Sequence, residues 1–152
     1  MQAEELIKST TEELLELLGA TGEVTVSENS EEESYDANIE TEDVGILIGH
    51  HGETIDAIQL IVNQTLFSKL PEEERKRVMV NIGDWRERRK DTLLHLADSL
   101  AARALETGEA QPIYDLTPSE RRILHVYLEE NKEVVTESEG EGRDRHLVVK
   151  PR

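Results

Sequence analysis

Cysteine is missing from all 152 residues, so disulfide staples, thiolate nucleophiles and cysteine-ligated metals are excluded, and the redox compartment is left undecided. Aromatic side chains are almost as rare. One Trp, three Tyr and one Phe leave little from which to build the stacking platforms that usually accompany grooves for single strands. No apolar run approaches the roughly 18 residues that span a bilayer, and the acidic opening Met1-Gln2-Ala3-Glu4-Glu5 lacks the basic-then-apolar layout of a signal peptide. A soluble cytoplasmic protein with no membrane partner is expected. Positive charge is the remaining shortage: 17 Lys and Arg face 34 Asp and Glu, a net charge of −17.

That acidity argues against nucleic acid as a partner, because phosphate binders are usually basic. Its distribution weakens the objection. Residues 1–84 hold 20 acidic and 5 basic side chains, a net of −15, whereas residues 85–152 hold 14 and 12, a net of −2. Charges further apart than about 8 Å are largely screened at physiological salt. A local cationic groove therefore survives on an acidic chain. The sequence contains no nucleophile elbow, P-loop or metal-ligand cluster. His125 with Asp115 or Tyr127 is the one arrangement an enzyme would use. The expectation is a non-enzyme with no cofactor and no metal.

What is present begins with Gly49-His50-His51-Gly52, a G-x-x-G turn between the apolar segments Ile46-Leu47-Ile48 and Ile55-Asp56-Ala57-Ile58. Glycine lacks Cβ, takes positive φ and leaves room for a phosphate to approach the backbone. A helix starting near Glu53 points its unpaired N–H groups and positive dipole end at such a phosphate. Around the turn, Tyr35, Ala37 and Ile39 alternate as one face of a strand, Val24 and Val26 suggest a shorter strand before it, and Val78, Val80 and Ile82 alternate after it. Ile55, Ile58, Val62 and Leu66 recur at helical spacing and pack one side on the sheet. The competing account of the turn is a plain helix connection with two solvated histidines. A His-His metal site lacks a third ligand at suitable spacing.

A seam falls near Asp84 and Trp85, and Trp85 is expected to pack between the two halves. Beyond it, Arg86, Arg88, Arg89 and Lys90 open a long helix whose apolar stripe runs through Leu93, Leu94, Ala97, Leu100, Ala101, Ala104 and Leu105 and ends at Gly108. Four cations at a helix start oppose the dipole. They form either a phosphate-facing patch or a solvated end balanced by Glu87 and Asp91. Thr117 and Glu120 make a capping box with Pro118 at the first helical position. On that helix Ile123, Leu124, Tyr127 and Leu128 face inward, while Arg121 and His125, four apart, share a face at the edge of the stripe. Ile113-Tyr114 reads as a strand before the helix. Val134-Val135-Thr136 and the run from Arg145 to Lys150 follow it, joined by a hairpin loop over residues 137–142.

The G-x-x-G turn in this order of elements resembles the KH domain in its type II (bacterial) form, whose loop clamps about four nucleotides of single-stranded RNA. Residues 86–151, with Arg121, three residues and His125 on a capped helix, resemble the single-stranded nucleic-acid-binding domain named for its R-x-x-x-H pair. The two in tandem resemble the Jag (SpoIIIJ-associated) family of bacterial RNA-binding proteins. The resemblance implies an α+β fold of two small domains, residues 1–84 and 85–152, without room for the separate N-terminal Jag domain of many members. It implies single-stranded RNA bound by Ile48, Gly49, His50, His51 and Gly52 in the first domain and by Arg121, Arg122 and His125 in the second. Arg143, Arg145, His146 and Lys150 then line the same groove from the last hairpin, and Ile46 and Ile58 add aliphatic contacts to the first. Post-transcriptional regulation connected with cell shape, envelope or division is implied too, as is pairing with a second small KH protein; a homodimer is left open. Family members commonly carry Lys or Arg where this loop has two histidines, so weak, pH-sensitive binding is expected there. The non-RNA alternative is a protein-interaction adaptor on ribosomal or KH partners. If Arg121 and His125 serve RNA alone, alanine at both positions weakens binding and leaves the thermal midpoint nearly unchanged.

Overall fold

The computed structural model describes residues 2–152, with the element order α-β-β-α-α-β followed by α-β-α-β-β. The chain divides into two compact units, one ending at Arg86 and the other starting at Glu87.

In the first unit, α1 (Gln2–Leu17), β1 (Glu23–Asn29), β2 (Ser34–Glu40), α2 (Val44–Ile48), α3 (Glu53–Lys69) and β3 (Arg77–Ile82) form a three-stranded sheet covered by helices. The strand order is β1-β2-β3, antiparallel between β1 and β2 and parallel between β2 and β3. β1 is no shorter than β2, since each of its seven residues has a partner there. The apolar set expected from alternation and helical spacing is buried: Ala37, Ile39, Ile55, Ile58, Val78 and Val80 all lie in one core. Each larger aliphatic side chain of that set contributes roughly 1.5–3 kcal/mol of burial.

Polar residues of α3 do a second job. Asn63 accepts from the Val78 N–H and donates to its carbonyl, both at 2.9 Å, and Gln59 Oε1 accepts from the Val80 N–H at 3.0 Å. Arg86 Nε donates to the Val80 carbonyl at 3.2 Å. These side chains satisfy the outer edge of β3, which would otherwise expose unpaired backbone groups. They also tie α3 to the sheet, and with it the turn at its start.

In the second unit, α4 (Trp85–Thr107, its first two residues counted with the first unit), β4 (Gln111–Ile113), α5 (Pro118–Glu129), β5 (Val134–Glu139) and β6 (His146–Pro151) form an antiparallel sheet of order β4-β6-β5 under two helices. Its core takes Leu93, Ala97, Ala101, Leu124, Leu128 and Leu147. Three expectations are corrected. Residues 137–139 belong to β5 rather than to the hairpin loop, because the ladder with β6 runs on to Glu139 opposite His146. Tyr114 lies beyond the end of β4 and is exposed. Ile123 and Leu105 face outward, at 38% and 39% exposure, since the inward stripe of each helix is filled by Leu124, Leu128, Ala101 and Ala104. Trp85, the first residue of α4, packs on the core of the first unit.

Candidate nucleic-acid interfaces

The G-x-x-G turn owes its shape to three left-handed residues. Gly49 has φ +70°, Gly52 has φ +86° and His51 has φ +52°. A Cβ on Gly49 would lie 2.1 Å from Thr54 Oγ1, and one on Gly52 would lie 2.4 Å from the Trp85 ring. Both positions therefore require glycine twice over, for conformation and for space. His51 adopts the strained conformation with a side chain, at a cost of about 1–2 kcal/mol. His50 is exposed, His51 half-buried, and their rings meet edge to face with centroids 4.0 Å apart. α3 starts on Gly52 without a side-chain cap, so its first N–H groups have no side-chain acceptor. Glu53 and Asp56 occupy its first turn. Asp56 is paired by Arg86 at 3.3 Å.

Ile48 is only 7% exposed and Ile58 only 2%, both within the core, so neither offers a groove surface. Ile46 is the aliphatic residue of α2 that reaches solvent most, at 51%. A five-residue helix turns its 44 and 46 positions outward while 47 and 48 are buried in the core.

At the second site, α5 is anchored before it offers anything to a ligand. Thr117 accepts from the Glu120 N–H, and Glu120 returns the bond to the Thr117 N–H at 3.0 Å. The same carboxylate takes two hydrogen bonds from Arg89, at 2.9 and 3.4 Å. Glu120 is only 9% exposed, so this is a partly buried, bidentate pair joining α4 to α5. Two of the cations at the start of α4 thus have tasks inside the fold: Arg86 on the β3 edge, Arg89 on Glu120.

With α5 fixed, its outer face and the neighbouring strand enclose a cleft of about 380 Å³ lined by Pro118, Arg121, Arg122, His125, Thr136, Ser138, Arg145 and Leu147. Three guanidinium groups, one imidazole and two hydroxyls converge there, and no carboxylate is among the lining residues. Arg121 spends one N–H on the Leu116 carbonyl at 2.8 Å, and Arg145 spends one on the Gly140 carbonyl at 3.0 Å. Each guanidinium keeps further donors, because arginine has five. His125 is held at both nitrogens: Nδ1 meets the Thr136 hydroxyl, and Nε2 lies 3.1 Å from a Glu129 carboxylate oxygen. A carboxylate only accepts, so Nε2 carries the proton; in the neutral ring Nδ1 then accepts from Thr136.

Thr136 and Ser138 escaped the sequence reading, which placed Ser138 in a loop. Once β5 runs to Glu139, alternation puts Thr136 and Ser138 on one face, opposite Val149 and Leu147. The same alternation removes Lys150. It pairs with Val135 on the other face, where it is tied to Glu137 and, at 3.0 Å, to Glu139. Those hydrogen bonds raise the Lys150 pKa above its ordinary value. His146 shares that reverse face, its ring 4.6 Å from Tyr114. Arg143 is exposed on the turn Gly142–Asp144 and is not among the lining residues of the cleft. Among the described residues, no cluster of three or more His, Cys, Asp or Glu suits a metal ion, and no helix is long and apolar enough to cross a membrane.

A G-x-x-G turn on a three-stranded sheet, followed by a capped R-x-x-x-H helix over a second sheet, defines a tandem of a KH domain and an R-x-x-x-H domain. The model for the KhpA/KhpB KH domain matches residues 4–82, and that for the R-x-x-x-H domain matches residues 91–151. The chain belongs to the KhpA/KhpB family, in the KhpB-type (Jag) arrangement of KH domain then R-x-x-x-H domain. It is similar to proteins named RNA-binding protein KhpB. That of Clostridium symbiosum is 33% identical over 138 residues, which is 91% of this chain and 61% of the relative. That of Bacillus subtilis strain 168 is 33% identical over 138 residues, 90% of this chain and 64% of the relative. That of Streptococcus pneumoniae R6 is 32% identical over 127 residues, 84% and 38%. The chain thus spans about three fifths of the first two relatives and well under half of the third.

Proposed function

We propose that this chain binds single-stranded RNA and acts as a post-transcriptional regulator, using the G-x-x-G turn of its KH domain and the Arg/His cleft of its R-x-x-x-H domain. The observation that carries the reading is the composition of that cleft. On a chain of net charge −17, three arginines, a histidine and two hydroxyls line one depression with no acidic side chain among them. Guanidinium groups give bidentate bonds to phosphate and stack on bases. The name shared by the relatives, RNA-binding protein KhpB, points the same way. At the KH turn, Gly49, Gly52, His50 and His51 receive a phosphate at the uncapped start of α3.

The test is fluorescence anisotropy of a labelled single-stranded RNA 12-mer against the full chain and its Arg121→Ala/Arg145→Ala variant. The variant binds at least tenfold more weakly. Equal affinity would remove the cleft from the interface. A protein-adaptor role has its own support: Leu60, Ile61 and Phe67 on α3 are exposed at 60%, 45% and 40%. A second small KH protein is the partner such a face suits. Complex formation that persists in moderate salt and survives Arg121 replacement would favour it.

A further inference from the structure

On the other flank of α5 lies a second depression, between α4 and α5, of about 470 Å³. It is lined by Lys90, Leu94, Arg122, Ile123, Val126, Tyr127 and Glu130. Its walls are aliphatic and aromatic where the first cleft is cationic. Arg122 lines both.

We propose that this groove is a nucleobase subsite, taking one unpaired base from the RNA strand whose phosphates lie in the Arg121 cleft; the proposal rests on that reading. Four observations carry it. Arg122 belongs to both depressions, so a strand leaving the cationic cleft over α5 stays on a guanidinium. Lys90 and Arg122 supply positive charge to the phosphates flanking a base held between Leu94, Ile123 and Val126. The Tyr127 ring is fixed by its hydroxyl, which donates to the Asp98 carboxylate, 2.9 Å from both oxygens. The Asp98 hydrogen bond also raises the phenol pKa, keeping it neutral. Glu130 repels phosphate yet accepts hydrogen bonds from base amino groups. Adenine, cytosine and guanine are therefore preferred over uracil, whose one donor, N3–H, sits between two carbonyl oxygens that repel the carboxylate.

Size favours a nucleotide over a protein segment. A volume of about 470 Å³ lies within the roughly 300–1,000 Å³ of small-ligand sites. A stable protein interface draws on about 20–30 residues a side, against seven here. Ile123 and Val126, at 38% and 55% exposure, are apolar side chains that the fold of this unit leaves unused.

The experiment follows the methyl groups of Ile123 and Val126 and the Nε–H signals of Arg121 and Arg145 by NMR in the full chain. It titrates an adenine-containing RNA 12-mer, the same-length abasic ribose-phosphate strand, oligo(U), and a Glu-rich amphipathic helical peptide. The adenine strand shifts both methyls; the abasic strand shifts neither, although it still perturbs Arg121 and Arg145. In anisotropy, Ile123→Ser/Val126→Ser lowers affinity for the adenine strand about tenfold and leaves abasic binding within about twofold. The wild type prefers the adenine strand over oligo(U), and Glu130→Gln narrows that preference. Methyl shifts with the peptide but not with RNA would overturn the proposal in favour of a protein-docking groove. Equal shifts with base and abasic strands would overturn it as well. If no strand perturbs Arg121 and Arg145, the RNA reading of the cleft itself has failed, which is a different result.

Discussion

At the G-x-x-G turn, the groups available to an anion are uncapped backbone N–H groups and two histidines, within residues 1–84 of net charge −15. At the α5 cleft they are three arginines on a half of the chain with net charge −2. The first site is a matter of backbone conformation, held by Gly49, His51 and Gly52 at positive φ. The second is a matter of side-chain charge, held by a capped helix whose anchor, Glu120, is not among the residues that line the cleft. The difference teaches where each site is vulnerable. The turn fails when atoms are added to it, and the cleft fails when the helix beneath it loosens or its charge is removed.

The largest effect expected is at the anchor. Glu120→Ala removes half of a capping box and leaves the Arg89 guanidinium partly buried without its carboxylate. Caps contribute about 1 kcal/mol, and breaking a buried ion pair from one side costs about 3 kcal/mol or more. A loss of about 4 kcal/mol in urea denaturation is expected. Glu120→Gln retains the cap and recovers about 1 kcal/mol of it. A loss below about 1 kcal/mol for the alanine variant, no more than a cap alone, would mean that α5 is held by its apolar stripe.

Next is Gly52→Ala, which strikes the other site. Its Cβ meets the Trp85 ring at 2.4 Å, in a backbone conformation that disfavours side chains. Left-handed strain of about 1–2 kcal/mol and overpacking of about 1–3 kcal/mol together cost roughly 3 kcal/mol. Gly49→Ala costs a comparable amount, because its Cβ meets Thr54 Cβ at 2.8 Å and the Thr54 backbone nitrogen at 3.1 Å, atoms that turning the side chain does not move. Equal stability of Gly52→Ala and wild type would show that Trp85 moves freely, and the turn would not be the rigid feature of the comparison.

Charge removal ranks third. Three arginines on phosphate give a slope of log affinity on log salt near −2, at about −0.7 per contact. Raising salt from about 50 to about 200 mM then weakens binding roughly twentyfold. Arg122→Ala lowers that slope by about 0.7 with little change in unfolding midpoint, because this side chain is exposed. Arg121→Ala and His125→Ala are different. Both residues line the cleft and both also hold the fold, Arg121 on the Leu116 carbonyl and His125 between Thr136 and Glu129. Each costs about 1 kcal/mol of stability as well as affinity, so an unchanged midpoint is no longer the expectation for that pair.

How much of this was legible in the sequence depends on how far apart the interacting residues lie. The capping box needs only Thr117, Pro118 and Glu120, and local spacing reveals it. The buried faces of β2, β3 and α3 follow from periods of two and of about 3.6, and the structure has them as read. Partners across about 30 residues do not announce themselves: Arg86 with Asp56 and Arg89 with Glu120 looked like a patch of cations on a helix start. Lys150 illustrates the other failure. Its face depends on register, and register depends on where the hairpin loop begins. Reading the loop from Glu137 rather than Gly140 hid Ser138 and sent Lys150 to the wrong side. Ile48 was lost for a related reason, because a five-residue helix gives too little periodicity to separate buried positions from exposed ones.

The smallest effect separates the two sites by pH. Histidine is the side chain that gains charge in the mildly acidic range, whereas arginine stays charged throughout. The expected pH dependence of binding, tighter at about pH 6 than at about pH 8, is therefore a property of the turn with its two histidines and not of Arg121, Arg122 and Arg145. An exposed ion pair contributes about 0.2–1 kcal/mol, a factor of roughly 1.4 to 5 in affinity for single-stranded RNA. His125 is already committed at both ring nitrogens, Nε2 facing Glu129 and Nδ1 meeting the Thr136 hydroxyl, so it offers the cleft no free ring donor. His50→Gln/His51→Gln consequently flattens the pH profile, while His125→Gln lowers affinity at every pH and keeps the slope. The reverse pattern, with the slope carried by His125, would mean that the turn binds through its backbone alone and that its histidines are bystanders.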